Sequence, residues 1–175
     1  MTCFSIKKTI LWLSIASLLL YTVGCATVKI KEGVFFPQDK NYRIKIPGTG
    51  KGWEPIQTDK GDIALWHKQY KAMIVIISSN IENKRFSLEM LSRLLFLGMA
   101  GKKIVSKDPV LLDNQGALHT ILEGEMDNCR LMIDSYVIRI EDKVYDLVCW
   151  APSGLFDHIQ DDFEHMARSF QYIRE

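Results

Sequence analysis

Apolar and polar residues alternate through Tyr42, Arg43, Ile44, Lys45 and Ile46, which predicts a half-buried strand at 41–46. Glycines at 48, 50 and 52 make the next stretch a loop. Asp59-Lys60-Gly61 signals a hairpin turn and places a strand at 62–69. Met73-Ile74-Val75-Ile76-Ile77 is unbroken by polar residues, as expected of a central strand covered on both faces. Ser87 reads as a helix N-cap, and Glu89 in the first turn complements the helix dipole. Leu88, Leu91, Leu94, Leu95 and Met99 recur at helical spacing, so the helix is predicted over 87–100. Short extended pieces follow at 104–105 and 109–112. Strands at 117–126, 129–140 and 143–150, linked by Asp127-Asn128 and Glu141-Asp142, then form a meander. Ala151-Pro152-Ser153-Gly154 ends it, with Ser153 as the N-cap of a last helix over 155–170. Ile159, Phe163, Met166 and Phe170 make that helix's apolar stripe.

This order predicts an α+β fold, with an antiparallel-rich sheet and helices packed on it as an α/β/α sandwich. The residues that carry a family likeness are Tyr42-Arg-Ile-Lys-Ile-Pro, Trp53, Ser87-Leu-Glu-Met-Leu, Tyr145-Asp-Leu and Ala151-Pro-Ser, then a helix ending Ser169-Phe170. Together they resemble the PsbP-like fold, shared by the photosystem II extrinsic subunit P, a Ran-release factor and DcrB-type lipoproteins. The resemblance spans 34–172 and lies in hydrophobic positions, so it implies the fold and transfers no functional residue.

The N-terminal region has a different pattern. Lys7 and Lys8 precede an apolar stretch from Ile10 to Val23, and no residue between Lys8 and Lys29 is charged. A positive n-region, an apolar h-region and a small residue before the cut describe an export signal, which assigns 1–24 to targeting. Thr22-Val23-Gly24-Cys25 resembles the lipobox of bacterial lipoproteins, with Thr22 departing from the usual Leu or Val. That resemblance implies a diacylglycerol thioether on Cys25 and an acyl group such as palmitate on the new α-amine. One acyl chain gives only marginal binding, whereas two or more hold a domain on a membrane. Ala26 in place of Asp favours the outer membrane over the inner one. The other reading is an uncleaved signal anchor, since the uncharged run is about long enough to span a bilayer. Either way the domain faces the periplasm from a membrane, with 25–33 as a short lipidated tether and 34–175 as a single globular domain.

Removal of 1–24 also removes two of the 22 lysines and arginines, which leaves 20 against 21 acids. No basic stripe stands out in the sequence, so nucleic acid is not an expected partner. Cys129 and Cys149 remain in a compartment that permits disulfides. A two-residue turn at Glu141-Asp142 would set Ile140 opposite Lys143 and Cys149 opposite Asp134. Cys129 then lies roughly 17 Å away along the strand and points to the other face, so two separate, mostly buried thiols are expected.

Catalytic signatures are sparse. His158, Asp162 and His165 fall at i, i+4 and i+7 on the predicted last helix, the one spacing that could offer two imidazoles and a carboxylate to zinc. A solvated flank explains them equally. Gly48-Thr49-Gly50-Lys51-Gly52 lacks the spacing and the Ser or Thr of a phosphate loop. Asp161 and Asp162 are neighbours that point apart on a helix. Phe96, on the face marked by Glu89, Ser92 and Arg93, and Trp53 are candidate partner contacts; Val34, Phe35 and Phe36 could cover Phe96 within the chain. The leading expectation is a non-enzymatic binding or assembly module without a cofactor, contacting the membrane through Cys25 and an envelope protein or lipid. The second is a metal-dependent hydrolase on the His158/Asp162/His165 stripe.

Overall fold

The computed structural model describes residues 30–37, 40–81 and 85–174; Cys25 and the signal segment lie outside them. Strands β1 (Ile30–Lys31), β2 (Val34–Phe35) and β3 (Tyr42–Lys45) come first, then a 3-10 turn at Thr49–Lys51. β4 (Trp53–Ile56), β5 (Ile63–His67) and β6 (Ala72–Asn80) precede helix α1 (Leu88–Leu95). The long strands are β7 (Ala100–Leu112), β8 (Gln115–Met126), β9 (Cys129–Ile140) and β10 (Lys143–Pro152). A 3-10 helix (Ser153–His158), α2 (Gln160–Arg168) and β11 (Gln171–Tyr172) complete the chain.

Seven strands pair in the order β4-β5-β6-β10-β9-β8-β7, every contact antiparallel. A second, four-stranded sheet, β1-β2-β3-β11, packs against one face of the large one. Tight turns hold the meander. Asp113-Asn114 and Asp127-Asn128 all have positive φ, the left-handed conformation that two-residue hairpins demand and that Asp and Asn tolerate. The register places Ile140 opposite Lys143 and Cys149 opposite Asp134, as predicted, and both cysteines are free. Cys149 is buried as expected, whereas Cys129, expected to be mostly buried, is exposed because it opens its strand beside the Asp127-Asn128 turn.

The inner face of the large sheet carries the main core. Ile74, Ile76, Ile138 and Leu147 meet Tyr42 and Ile44 of the small sheet and Phe156, Phe163 and Phe170 of the C-terminal segment. Tyr42 stacks on Phe170 at 5.6 Å between ring centroids and meets Tyr145 edge-on at 5.3 Å. Such aromatics each remove roughly 150–250 Å² from water and so dominate the core energetics. On the outer face α1 crosses β8 and β9. Leu91 packs with Val137 and Val144, and Phe96 and Met99 pack with Leu122 and Ile133.

The antiparallel sheet with helices on it is as the sequence predicts, and five details differ. The first helix, expected over 87–100, ends at Leu95, and Ala100 opens β7. Of the small sheet only β3, the strand expected at 41–46, was legible, because the other three strands are two residues long. Residues 100–112 form one strand, not two pieces; register shifts at 100–103 and 104–106 let it bend while it stays paired. The 155–170 helix divides at Ile159, whose φ of −120° and ψ of −10° interrupt the α-helix. Ser153 opens the 3-10 helix without capping it, and its Oγ is buried with no hydrogen-bond partner.

Candidate functional site

The predicted metal stripe does not converge. Because the helix breaks at Ile159, His158 belongs to the 3-10 helix and loses the phase it would share with Asp162 and His165. Its imidazole stacks on Tyr70 at 4.8 Å. Asp162 accepts from Trp53 Nε1 on one carboxylate oxygen at 3.0 Å and from Lys51 Nζ on the other. His165 Nδ1 donates to the Asp161 carbonyl at 2.6 Å. Among the described residues no group of three His, Cys, Asp or Glu side chains is arranged to hold a metal.

Asp162 is instead part of a bracket that fixes the glycine loop. His67 is buried, and its Nε2 donates to the Lys51 carbonyl at 2.8 Å while Nδ1 accepts from the Tyr70 amide at 3.4 Å. Gly52 is required beside it: φ is +86°, and a Cβ there would lie 2.7 Å from His67 Nε2. The ring faces of His67 and Tyr70 stack at 4.5 Å, so the chain of contacts runs from Trp53 through His67 and Tyr70 to His158. Trp53, a candidate contact, is therefore buried, 1 % exposed.

Phe96 is also covered, but not by 34–36: it lies against Met99, Leu122 and Ile133 on the outer face. Ser92, expected outward, is buried with its hydroxyl 3.3 Å from that of Thr120, and the helix is rotated accordingly. The rotation brings Met90, Leu94 and Leu97 to the surface, 47 %, 49 % and 70 % exposed. None of these exposed residues was expected, and Leu94 was assigned to the buried stripe.

An imidazole–carboxylate pair, His119 Nε2 to Asp134 Oδ1 at 2.7 Å, lies on the inner face. The imidazole stacks on Tyr136 at 4.1 Å. Burial raises the Asp134 carboxyl, with the His119 hydrogen bond and charge opposing that rise, and the same burial raises the Cys149 thiol opposite. A thiol held protonated is a poor nucleophile.

The outer face beyond α1 is only partly covered. β6 was expected to be covered on both sides, yet its burial alternates: Ile74 and Ile76 are fully buried, whereas Met73, Val75 and Ile77 are only half-buried. The register sets Met73 between Trp66 and Trp150, and Val75 beside Val148. All three neighbours are half-buried. Helix α1 lies over β8 and β9 and leaves this end of the sheet open among the described residues. Asp146 faces the same way, between Ile77 and Val137. Its Oδ1 is buried without a partner, and desolvation alone pushes the carboxyl up to about 7. The unbroken apolar run at 73–77 was the sequence signal for this surface. Its composition suits two covered faces, and the described chain fully covers one.

Comparison with known structures agrees with this architecture. A cyanobacterial PsbP (CyanoP) from Synechocystis superposes with a TM-score of 0.60 at 14 % identity, over 85 % of this chain and 96 % of that one. The fold is PsbP-like. LpqN, involved in cell envelope biogenesis in Mycobacterium tuberculosis, gives a TM-score of 0.63 at 10 % identity, covering 76 % of this chain and 83 % of LpqN. A Pseudomonas aeruginosa protein of unknown function, PA94, gives 0.52 at 10 % identity, over 70 % and 98 % of the two chains. No family model matches the sequence, and no curated protein does. Among the described residues no helix is long and apolar enough to cross a membrane.

Proposed function

We propose that the chain is an envelope lipoprotein, anchored by lipid on Cys25, whose PsbP-like domain is a non-enzymatic binding module. The observation that carries this reading is the outer sheet face, where Trp66, Met73, Val75, Val148 and Trp150 form an apolar surface that α1 leaves half-covered. Contiguous apolar surface of this kind marks interaction sites in soluble domains. Tryptophan is enriched among the residues that dominate binding energy. The partner is an envelope component that offers an apolar surface. The Lys7-Lys8 and Val23-Gly24-Cys25 pattern supports the tether, and the likeness to LpqN supports the envelope setting by fold analogy.

Photo-crosslinking in the cell tests the reading. Benzoylphenylalanine replacing Met73 or Trp66 is expected to capture one specific envelope component, and the same group at exposed Lys60 is not. Equal, nonspecific capture at all three positions, with the domain folded, would refute the assignment of this face.

A further inference from the structure

The exposed side of α1 continues into the start of β7, and this ridge has a composition unlike the rest of the chain. Between Arg85 and Lys107 stand five cations (Arg85, Arg93, Lys102, Lys103, Lys107) and one carboxylate, Glu89, in a protein whose net charge is +1 overall. Glu89 is engaged by both Arg93 and Lys107. Large apolar side chains sit among these cations. Met90, Leu94 and Leu97 follow i, i+4 and i+7 spacing on α1 and its C-terminal turn, and Ile104 and Val105 are each 56 % exposed on β7. The two parts are joined. Lys102 Nζ donates to the Phe96 carbonyl at 3.2 Å, and Ile104 is paired with Leu122, which packs on Phe96. The register shift between Ile104 and Ser106 leaves Val105 out of the ladder. The nearest carboxylates on β8 are Glu123, which is ion-paired with Arg130, and Glu125.

We propose that this ridge docks onto the surface of an anionic lipid bilayer, with Leu97 and Ile104 entering the acyl boundary and Lys102 and Lys103 meeting the headgroups. Apolar residues of this exposure, flanked by lysine and arginine, are the composition of interfacial membrane elements, where apolar burial and attraction to anionic lipid act together. Pairing of β7 with a further strand is the less fitting use of this edge. Its lysines, its bulges and Pro109 are features that oppose strand addition. The proposal rests on the lipoprotein reading for the presence of a membrane, and it adds how the domain lies on it.

The test uses the full chain with benzoylphenylalanine at Leu97, at Ile104 or at exposed Gln171 on the small sheet, irradiated with vesicles of phosphatidylethanolamine and phosphatidylglycerol or of phosphatidylcholine alone. Lipid adducts are expected at 97 and 104 on the anionic vesicles and not at 171. Lys102→Gln with Lys103→Gln should weaken partitioning of the unlipidated mature chain, residues 26–175, to those vesicles by about 30-fold, about fivefold for each lysine. Melting curves of each variant confirm folding. Absence of lipid adducts at 97 and 104 while the protein is vesicle-bound overturns the proposal, as does capture there of a second copy or another protein. The same adducts scored with residues 26–175, which carry neither the signal segment nor the lipid, separate failure of the ridge from failure of the anchor, which the mass of the wild-type protein reports by itself.

Discussion

Trp53 Nε1 donates to Asp162 Oδ2 at 3.0 Å, tying the first strand of the large sheet to the last helix across 109 residues of sequence. Asp162→Ala would leave the buried indole N–H without its acceptor, at a cost of about 1–3 kcal/mol. That is roughly 3–10 °C in Tm for a domain of this size. Lys51, on the other carboxylate oxygen, is exposed, and Lys51→Ala should be nearly neutral. Thermal melting of the two variants checks the contrast. Equal losses would mean that the ion pair, not the indole bond, holds the bracket.

Gly52 and His67 predict a dependence between two substitutions. Gly52→Ala should destabilise through both its φ of +86° and the 2.7 Å approach to the imidazole. In a His67→Ala background only the backbone strain remains, so the loss should shrink. Urea unfolding of the four proteins of the cycle measures the coupling, and additive effects would show that the close approach costs nothing.

The two sides of β6 should respond differently. Ile76 is fully buried in the inner core, and Ile76→Asp places an unpaired charge there at several kcal/mol, enough to abolish folding of a domain stable by ~5–15 kcal/mol. Val75→Thr, on the half-open face, should cost no more than about 1.5 kcal/mol and instead reduce capture of the partner. Circular dichroism separates the outcomes; a folded Ile76→Asp protein would contradict the core assignment.

Asp146 gives the stability a pH dependence of unusual sign. Its folded carboxyl is raised to about 7 from an ordinary 3.8 by burial, so between those values the folded state holds a proton that the unfolded chain releases. Stability from this group is therefore full below about pH 4 and is lost as pH rises through about 7. Asp146→Asn should flatten that slope and raise Tm above pH 7. An unchanged slope in denaturant titrations between pH 5 and 8 would show that the carboxyl ionises freely.

The long elements were legible because each is specified by its own periodicity and turns. The Glu141-Asp142 turn alone was enough to set Cys149 opposite Asp134. What escaped depends on contacts between distant segments. Strands of two residues carry no period, so β1, β2 and β11 left no trace. The rotation of α1 is set by where Ser92 meets Thr120, and a leucine-rich helix has apolar residues on both candidate faces. The metal stripe failed for a local reason: ideal helical spacing was assumed across Ile159, where the backbone leaves the helix. The open outer face was legible in composition but was read as covered.

The central claim is that this domain works from a membrane surface to which Cys25 holds it. Intact-mass analysis of the protein purified from bacterial membranes tests it most directly. The account predicts a chain beginning at Cys25, heavier than its residues by a diacylglycerol and an acyl group. A mass that retains residues 1–24 without lipid would contradict it.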